Sequence, residues 1–160
     1  MTTTSSPDTI LKLNTDGSSR GNPGPSSFGG LIRDNKGKWV CGYMGKMKGG
    51  RYTSLEAEVW SVYNGLCLIR DKNMSNLLIE TDCETILRLR WMPMDPQIKV
   101  VMDAIDAIMI DRNCTIIHRR REGNQCADLL AKLGGKQSEE FTLLEEPPAV
   151  LMPYLFERHL

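Results

Sequence analysis

At 160 residues, with 41% hydrophobic and 25% charged side chains, the chain has the length and composition of one compact globular domain. Its 20 basic and 20 acidic residues cancel, which argues against a purely electrostatic nucleic-acid binder and leaves any such contact to local patches. Five cysteines (Cys41, Cys67, Cys83, Cys114 and Cys126), none in a C-x-x-C pair, argue against a disulfide framework or a zinc site and for a reducing intracellular compartment, nucleus or cytoplasm.

Residues 1–9 lack the basic and apolar regions of a signal peptide and read as a disordered lead-in. Ile10 to Thr15 alternates apolar and polar residues, as a half-buried strand does. It ends at Asp16-Gly17, and the Gly/Ser/Pro-rich stretch from Gly17 to Pro25 reads as a tight loop. Phe28 to Arg33 and Trp39 to Met44 are two further strands joined by a turn at Asp34-Asn-Lys-Gly37, giving an antiparallel meander. The period then changes. Leu55, Val59, Val62, Leu66 and Ile69 place an amphipathic helix over Thr53 to Arg70, with Thr53 or Ser54 as its N-cap. Leu77 to Thr81 is a continuous apolar strand, suited to a buried central position.

A short helix is predicted over Cys83 to Arg90, broken by Pro93 and Pro96, and an amphipathic helix over Ile98 to Ile110. Thr115 to His118 is a fifth strand, and Gln125 to Leu133 a last helix closed by Gly134-Gly135. This order gives an α/β fold: a mixed five-stranded sheet, three antiparallel strands and then helix-linked strands, flanked by helices. The domain spans residues 10–136. In the C-terminal extension, residues 137–160, Glu145-Glu-Pro-Pro148 and Pro153 argue against regular structure. Its apolar residues, Leu151 and Tyr154 among them, suggest that it packs on a surface. No apolar run approaches the roughly 20 residues that span a bilayer, so no membrane partner is expected.

Asp16 closes the first strand and Asp82 the fourth, where side chains face the crevice in which such sheets bind ligands. If those strands are neighbours, the two acids sit side by side. Glu58, one turn into the long helix, and Asp128, near the start of the last, can reach the same edge. Four carboxylates in one cleft repel and would take up protons; divalent cations relieve that cost, and carboxylate oxygen suits Mg²⁺ or Mn²⁺. Two such ions about 3.5–4 Å apart would stabilise the attacking and leaving oxygens of a phosphoryl displacement. Glu56 also lies on this helix, but two residues from Glu58 it does not share a face with it.

The segment Thr15-Asp-Gly-Ser-Ser-Arg-Gly-Asn-Pro-Gly-Pro25 resembles the first motif of the ribonuclease H family. Ala57-Glu58-Val-Trp-Ser61 resembles the second, Glu80-Thr-Asp82 the third, and His118 with Glu122-Gly-Asn124 and Ala127-Asp128 the fourth. The likeness runs from about Lys12 to Lys136 and is nearest to domains of plant proteins and plant retroelements. It implies an endoribonuclease that hydrolyses the RNA strand of RNA–DNA hybrids with two Mg²⁺ ions, Mn²⁺ being a possible substitute. It implies that Asp16, Glu58, Asp82 and Asp128 hold the metal. His118 would assist proton transfer or product release. Ser19 and the backbone around Asn22 would track the RNA strand in the minor groove, where 2′-hydroxyls distinguish RNA from DNA, and Ser54, with Arg119 and Arg121 of the basic run beside the site, is a further candidate for substrate contact. A monomer is expected, either alone or as part of a larger reverse-transcriptase polyprotein.

Three features depart from the family pattern. Thr53-Ser-Leu55 stands where asparagines often precede the helical glutamate; Glu84 follows Asp82 where an amide is common; and Arg90-Trp-Met-Pro-Met-Asp-Pro96 replaces a lysine-rich protrusion. These favour the alternative of a catalytically weak, nucleic-acid-binding module from a retroelement polyprotein. Other residues have plainer readings. Arg119-Arg-Arg121 and the group Lys46, Lys48 and Arg51 are solvated basic runs or phosphate contacts. Trp39 and Trp60 read as core aromatics, and Cys83 as packing rather than a nucleophile.

Overall fold

The computed structural model describes residues 10–120 and 124–157. The lead-in assigned to residues 1–9 lies outside them, as does Arg121. Six strands form one sheet: β1 Lys12–Ser19, β2 Ser26–Arg33, β3 Trp39–Lys46, β4 Leu78–Thr81, β5 Thr115–His118 and β6 Thr142–Leu144. Their order across the sheet is β5-β4-β1-β2-β3-β6. β1 pairs parallel with β4 and β4 parallel with β5, while the β1–β2, β2–β3 and β3–β6 pairs are antiparallel. The helices are α1 Ser54–Asp71, α2 Glu84–Arg88, α3 Pro96–Arg112, α4 Gln125–Gly134 and α5 Met152–Glu157. Among the described residues no helix is long and apolar enough to cross a membrane.

The five expected strands and their mixed pairing are present, and the extension supplies a sixth. Proline there limits the length of its elements rather than abolishing them. Thr142–Leu144 pairs with β3, and Pro148 precedes a 3-10 turn, Ala149–Leu151, that leads into α5. The expected tight loop from Gly17 is shorter than its composition suggested, because β1 continues beside β2 until Ser19 faces Ser26. α3 starts two residues before Ile98: Asp95 accepts a hydrogen bond from Gln97 N–H as N-cap, and Pro96 occupies the first turn, where its missing N–H costs nothing. α1 begins as predicted, with Thr53 and Glu56 forming a reciprocal capping box.

Alternation along β2 divides two cores. Phe28 and Ile32 join the large cluster under α1 and α3, whereas Leu31 joins Cys126, Ala127 and Leu130 of α4 with Leu151 and Leu155 of the extension. The extension therefore packs as its apolar residues implied. α4 lies close on the sheet because Gly29 has no side chain: a Cβ there would sit 2.5 Å from Ala131 N. Trp39 and Trp60 are half-buried against these clusters, and the Trp39 indole N–H donates to Glu145 C=O.

Candidate metal centre and nucleic-acid interface

Register places the first two acids. β1 and β4 are in parallel register with Thr15 opposite Thr81, so Asp16 and Asp82 are the next residues on neighbouring chains. Asp16 is not the end of β1, as expected from sequence, but the point at which β1 loses β4 and keeps only β2. Its β2 partner is Gly29, over which α4 packs closely.

α1 brings the third acid. Gly17 allows the approach, since a Cβ there would lie 2.4 Å from Ala57 C and 2.6 Å from Glu58 N. Glu58 Oε1 accepts a 3.2 Å hydrogen bond from Gly17 N–H. One carboxylate oxygen from each of Asp16, Glu58 and Asp82 lies within 4.8 Å of the other two. Asp128, in the first turn of α4, is close enough to Asp16 to raise its carboxyl and takes a 3.1 Å ion pair from Lys132 one turn on.

The electrostatics follow from this crowding. Asp16 is 4% exposed, and its carboxyl is pushed up from 3.8 to about 10. Burial is the largest cause, then the charges of Glu58 and Asp82, then hydrogen bonds with Asp128 and Glu58. A cluster of hard oxygen donors that can stay charged only with a counter-ion fits a divalent cation. Cys83 behaves as expected: burial pushes its thiol up to about 11, Glu58 adds to the shift, and it stays protonated.

Three supporting residues sit inside the recognised motifs without a role legible from sequence. Ser61, fully buried, accepts from Asp16 N–H at 3.2 Å and donates to Gly29 C=O at 2.8 Å. Asn124 donates to Thr15 C=O at 2.7 Å and so ties the start of α4 to β1. Glu80, 1% exposed, accepts from Asn14 at 2.8 Å, with Arg119 at 3.7 Å and Lys12 at 4.0 Å. A short polar residue with a buried role looks, in sequence, like any other helix or strand residue.

The remaining predicted positions lie on β5 and on the segments around β1 and α1. His118 ends β5 in register with Thr81, exposed at the same edge of the sheet. Ser19 hydrogen-bonds Gly21 C=O, and Asn22 Oδ1 accepts from Ser54 N–H at 2.9 Å, which fastens the loop after β1 to the start of α1. Arg119 is held beside Glu80, Arg120 is exposed, and Arg51 donates to Pro23 C=O.

A family model described as reverse transcriptase-like matches residues 14–134. The chain belongs to this reverse transcriptase-like family. An Arabidopsis thaliana relative, "Putative ribonuclease H protein At1g65750", is 34% identical over 150 residues, which cover 92% of this chain and 24% of that protein. The chain thus spans about a quarter of that relative's length. Among solved structures, ribonuclease H1 of Halobacterium salinarum superposes with a TM-score of 0.73 at 23% identity, covering 81% of this chain and 99% of that one. LC11-RNase H1, solved in complex with an RNA/DNA hybrid, gives 0.71 at 26% identity over 79% of this chain and 96% of that one. The protease–reverse transcriptase of prototype foamy virus gives 0.65 at 18% identity, with 86% of this reverse transcriptase-like chain matching 22% of it. The fold is the ribonuclease H fold, as the motifs implied.

Proposed function

We propose that the chain is an endoribonuclease that hydrolyses the RNA strand of RNA–DNA hybrids with two divalent cations, Mg²⁺ or Mn²⁺. The observation that carries this reading is the convergence of Asp16, Glu58 and Asp82 within 4.8 Å, with Asp16 driven to about 10. The name of the Arabidopsis relative and the hybrid bound by LC11-RNase H1 support the substrate class. The metal-holding residues are Asp16, Glu58, Asp82 and Asp128; bound cations supply Lewis-acid polarisation of the phosphodiester and neutralise charge that builds during its displacement.

The rest falls to the chain's own groups. His118, exposed at the edge shared with Asp82, assists proton transfer or product release. Ser19, Asn22 and Ser54 shape the loop beside the cluster and present it to the minor groove. Arg119 offers a guanidinium to phosphate, and Arg121 follows it in sequence. We place the domain at residues 10–136, with residues 137–160 as an extension, in a larger polypeptide that includes a reverse transcriptase.

A nucleic-acid-binding module that cleaves poorly is favoured by one observation. Where a cationic protrusion would stand, Trp91 is 80% exposed and Arg90 is occupied by Asp106 at 2.7 Å. A labelled-hybrid cleavage assay with Mg²⁺ or Mn²⁺, run beside Asp82→Asn, separates the two. The enzyme reading requires wild-type cleavage that the variant loses. Equal products from both proteins overturn it, and tight binding without cleavage establishes the module.

A further inference from the structure

A second polar feature lies one step from the carboxylates. A cavity of about 380 Å³ is lined by Arg20, Lys46, Lys132 and Lys136, together with Ser18 and Ser27, and has no acid among its lining residues. In a chain whose charges cancel overall, this is a local excess of four cations. Lys132 is committed to Asp128 at 3.1 Å. Arg20, Lys46 and Lys136 form no ion pair among the described residues.

The cavity is continuous with the acid cluster along two elements. Ser18 follows Asp16 by two residues on β1, and so lies on the same face about 6–7 Å further on. Lys132 follows Asp128 by four on α4, about 6 Å along the helix. At an axial rise of about 3.4 Å per nucleotide on one strand, that offset is roughly two nucleotides. Separated cations around one concavity suit a chain of singly charged phosphates better than a compact anion, which would engage one or two of them.

We propose that this cavity is a backbone subsite, in which Arg20, Lys46 and Lys136 hold the phosphodiesters of the substrate strand about two nucleotides from the bond that is cut. The inference rests on the nuclease reading for its placement, but its test reads binding alone. Binding of a fluorescent RNA–DNA hybrid is followed by anisotropy in chelator, across a salt series, for wild type, the triple variant Arg20→Gln/Lys46→Gln/Lys136→Gln, the arginine-retaining Lys46→Arg/Lys136→Arg, and Lys99→Gln on α3 as a remote control.

The triple variant should lose on the order of tenfold or more in affinity, and its log–log salt slope should fall by about 0.9 per cation removed. The Lys→Arg protein and the control should bind as wild type, with unchanged melting temperatures throughout. An unchanged slope in the triple variant, an equal loss in Lys99→Gln, or no wild-type binding at low salt overturns the subsite. Charge-dependent binding without cleavage in Mg²⁺ would overturn the nuclease reading and leave the subsite standing. Cleavage with an unaffected triple variant would do the reverse.

Discussion

The side-chain amide of Asn124 reaches 2.7 Å to the carbonyl of Thr15, the residue before Asp16. That bond joins the start of α4, which carries Asp128, to the strand that carries Asp16. Asn124 is 1% exposed, so its loss leaves a buried carbonyl without its donor. Asn124→Ala should cost about 1–3 kcal/mol, read by denaturant unfolding. It should also lower cleavage more than Asn73→Ala does. An unchanged unfolding midpoint would show that the bond does not hold the two elements together.

Ser61 positions the same aspartate from the opposite side. It is fully buried and bonded to both Asp16 N–H and Gly29 C=O. Ser61→Ala removes both partners at once, for a loss of about 1–3 kcal/mol by thermal or chemical melting. Ser61→Thr keeps the hydroxyl but adds a methyl to a full site, and should lie between the two.

Gly17 sets the distance from α1 to β1. Because a Cβ would meet Ala57 C at 2.4 Å, Gly17→Ala must push Glu58 away from Asp16 and Asp82. A destabilisation of about 1–3 kcal/mol is expected, with weaker Mn²⁺ binding by calorimetry. Wild-type metal affinity in a folded Gly17→Ala protein would contradict this account of the site.

Metal-free stability should depend on pH through Asp16. Its folded value, about 10, lies above the unfolded value near 3.8, so the native state holds a proton that the unfolded chain releases. Stability is then greatest below about 4 from this group and is lost as pH rises toward 10. In chelator, Asp16→Asn should melt higher than wild type at pH 8, and the gap should narrow as pH falls. A gap that is flat across pH would show that the crowding carries no cost.

Much of this was legible because pattern and packing agreed. The alternating run of β1 and the 3.6-residue stripe of α1 each place apolar residues in a real core, so they announce their elements. The four acids could be picked out because their motifs recur in order along the chain. Less was legible where structure depends on a partner distant in sequence. β6 is three residues long and exists because β3 offers an open edge. Gly17 to Ser19 stay extended because Ser26 to Phe28 lie opposite, although their composition alone suits a loop. The cavity of Arg20, Lys46 and Lys136 joins residues more than a hundred positions apart, each unremarkable within its own segment.

The extension should contribute measurably to the fold. Leu151 is fully buried against Leu31 and α4, so Leu151→Ala should cost about 2–5 kcal/mol, and removal of residues after Gln137 should lower both melting temperature and solubility. A truncated chain that melts with the full one would show that the extension only rests on the surface.

The central claim is that separate segments assemble a divalent-cation site. A crystal soaked in Mn²⁺, with anomalous difference maps calculated at the manganese edge, tests it directly. The account predicts strong peaks bounded by the carboxylates of Asp16, Glu58 and Asp82, and their loss in Asp82→Asn. Manganese bound elsewhere, with these three carboxylates bare at saturating metal, would contradict it.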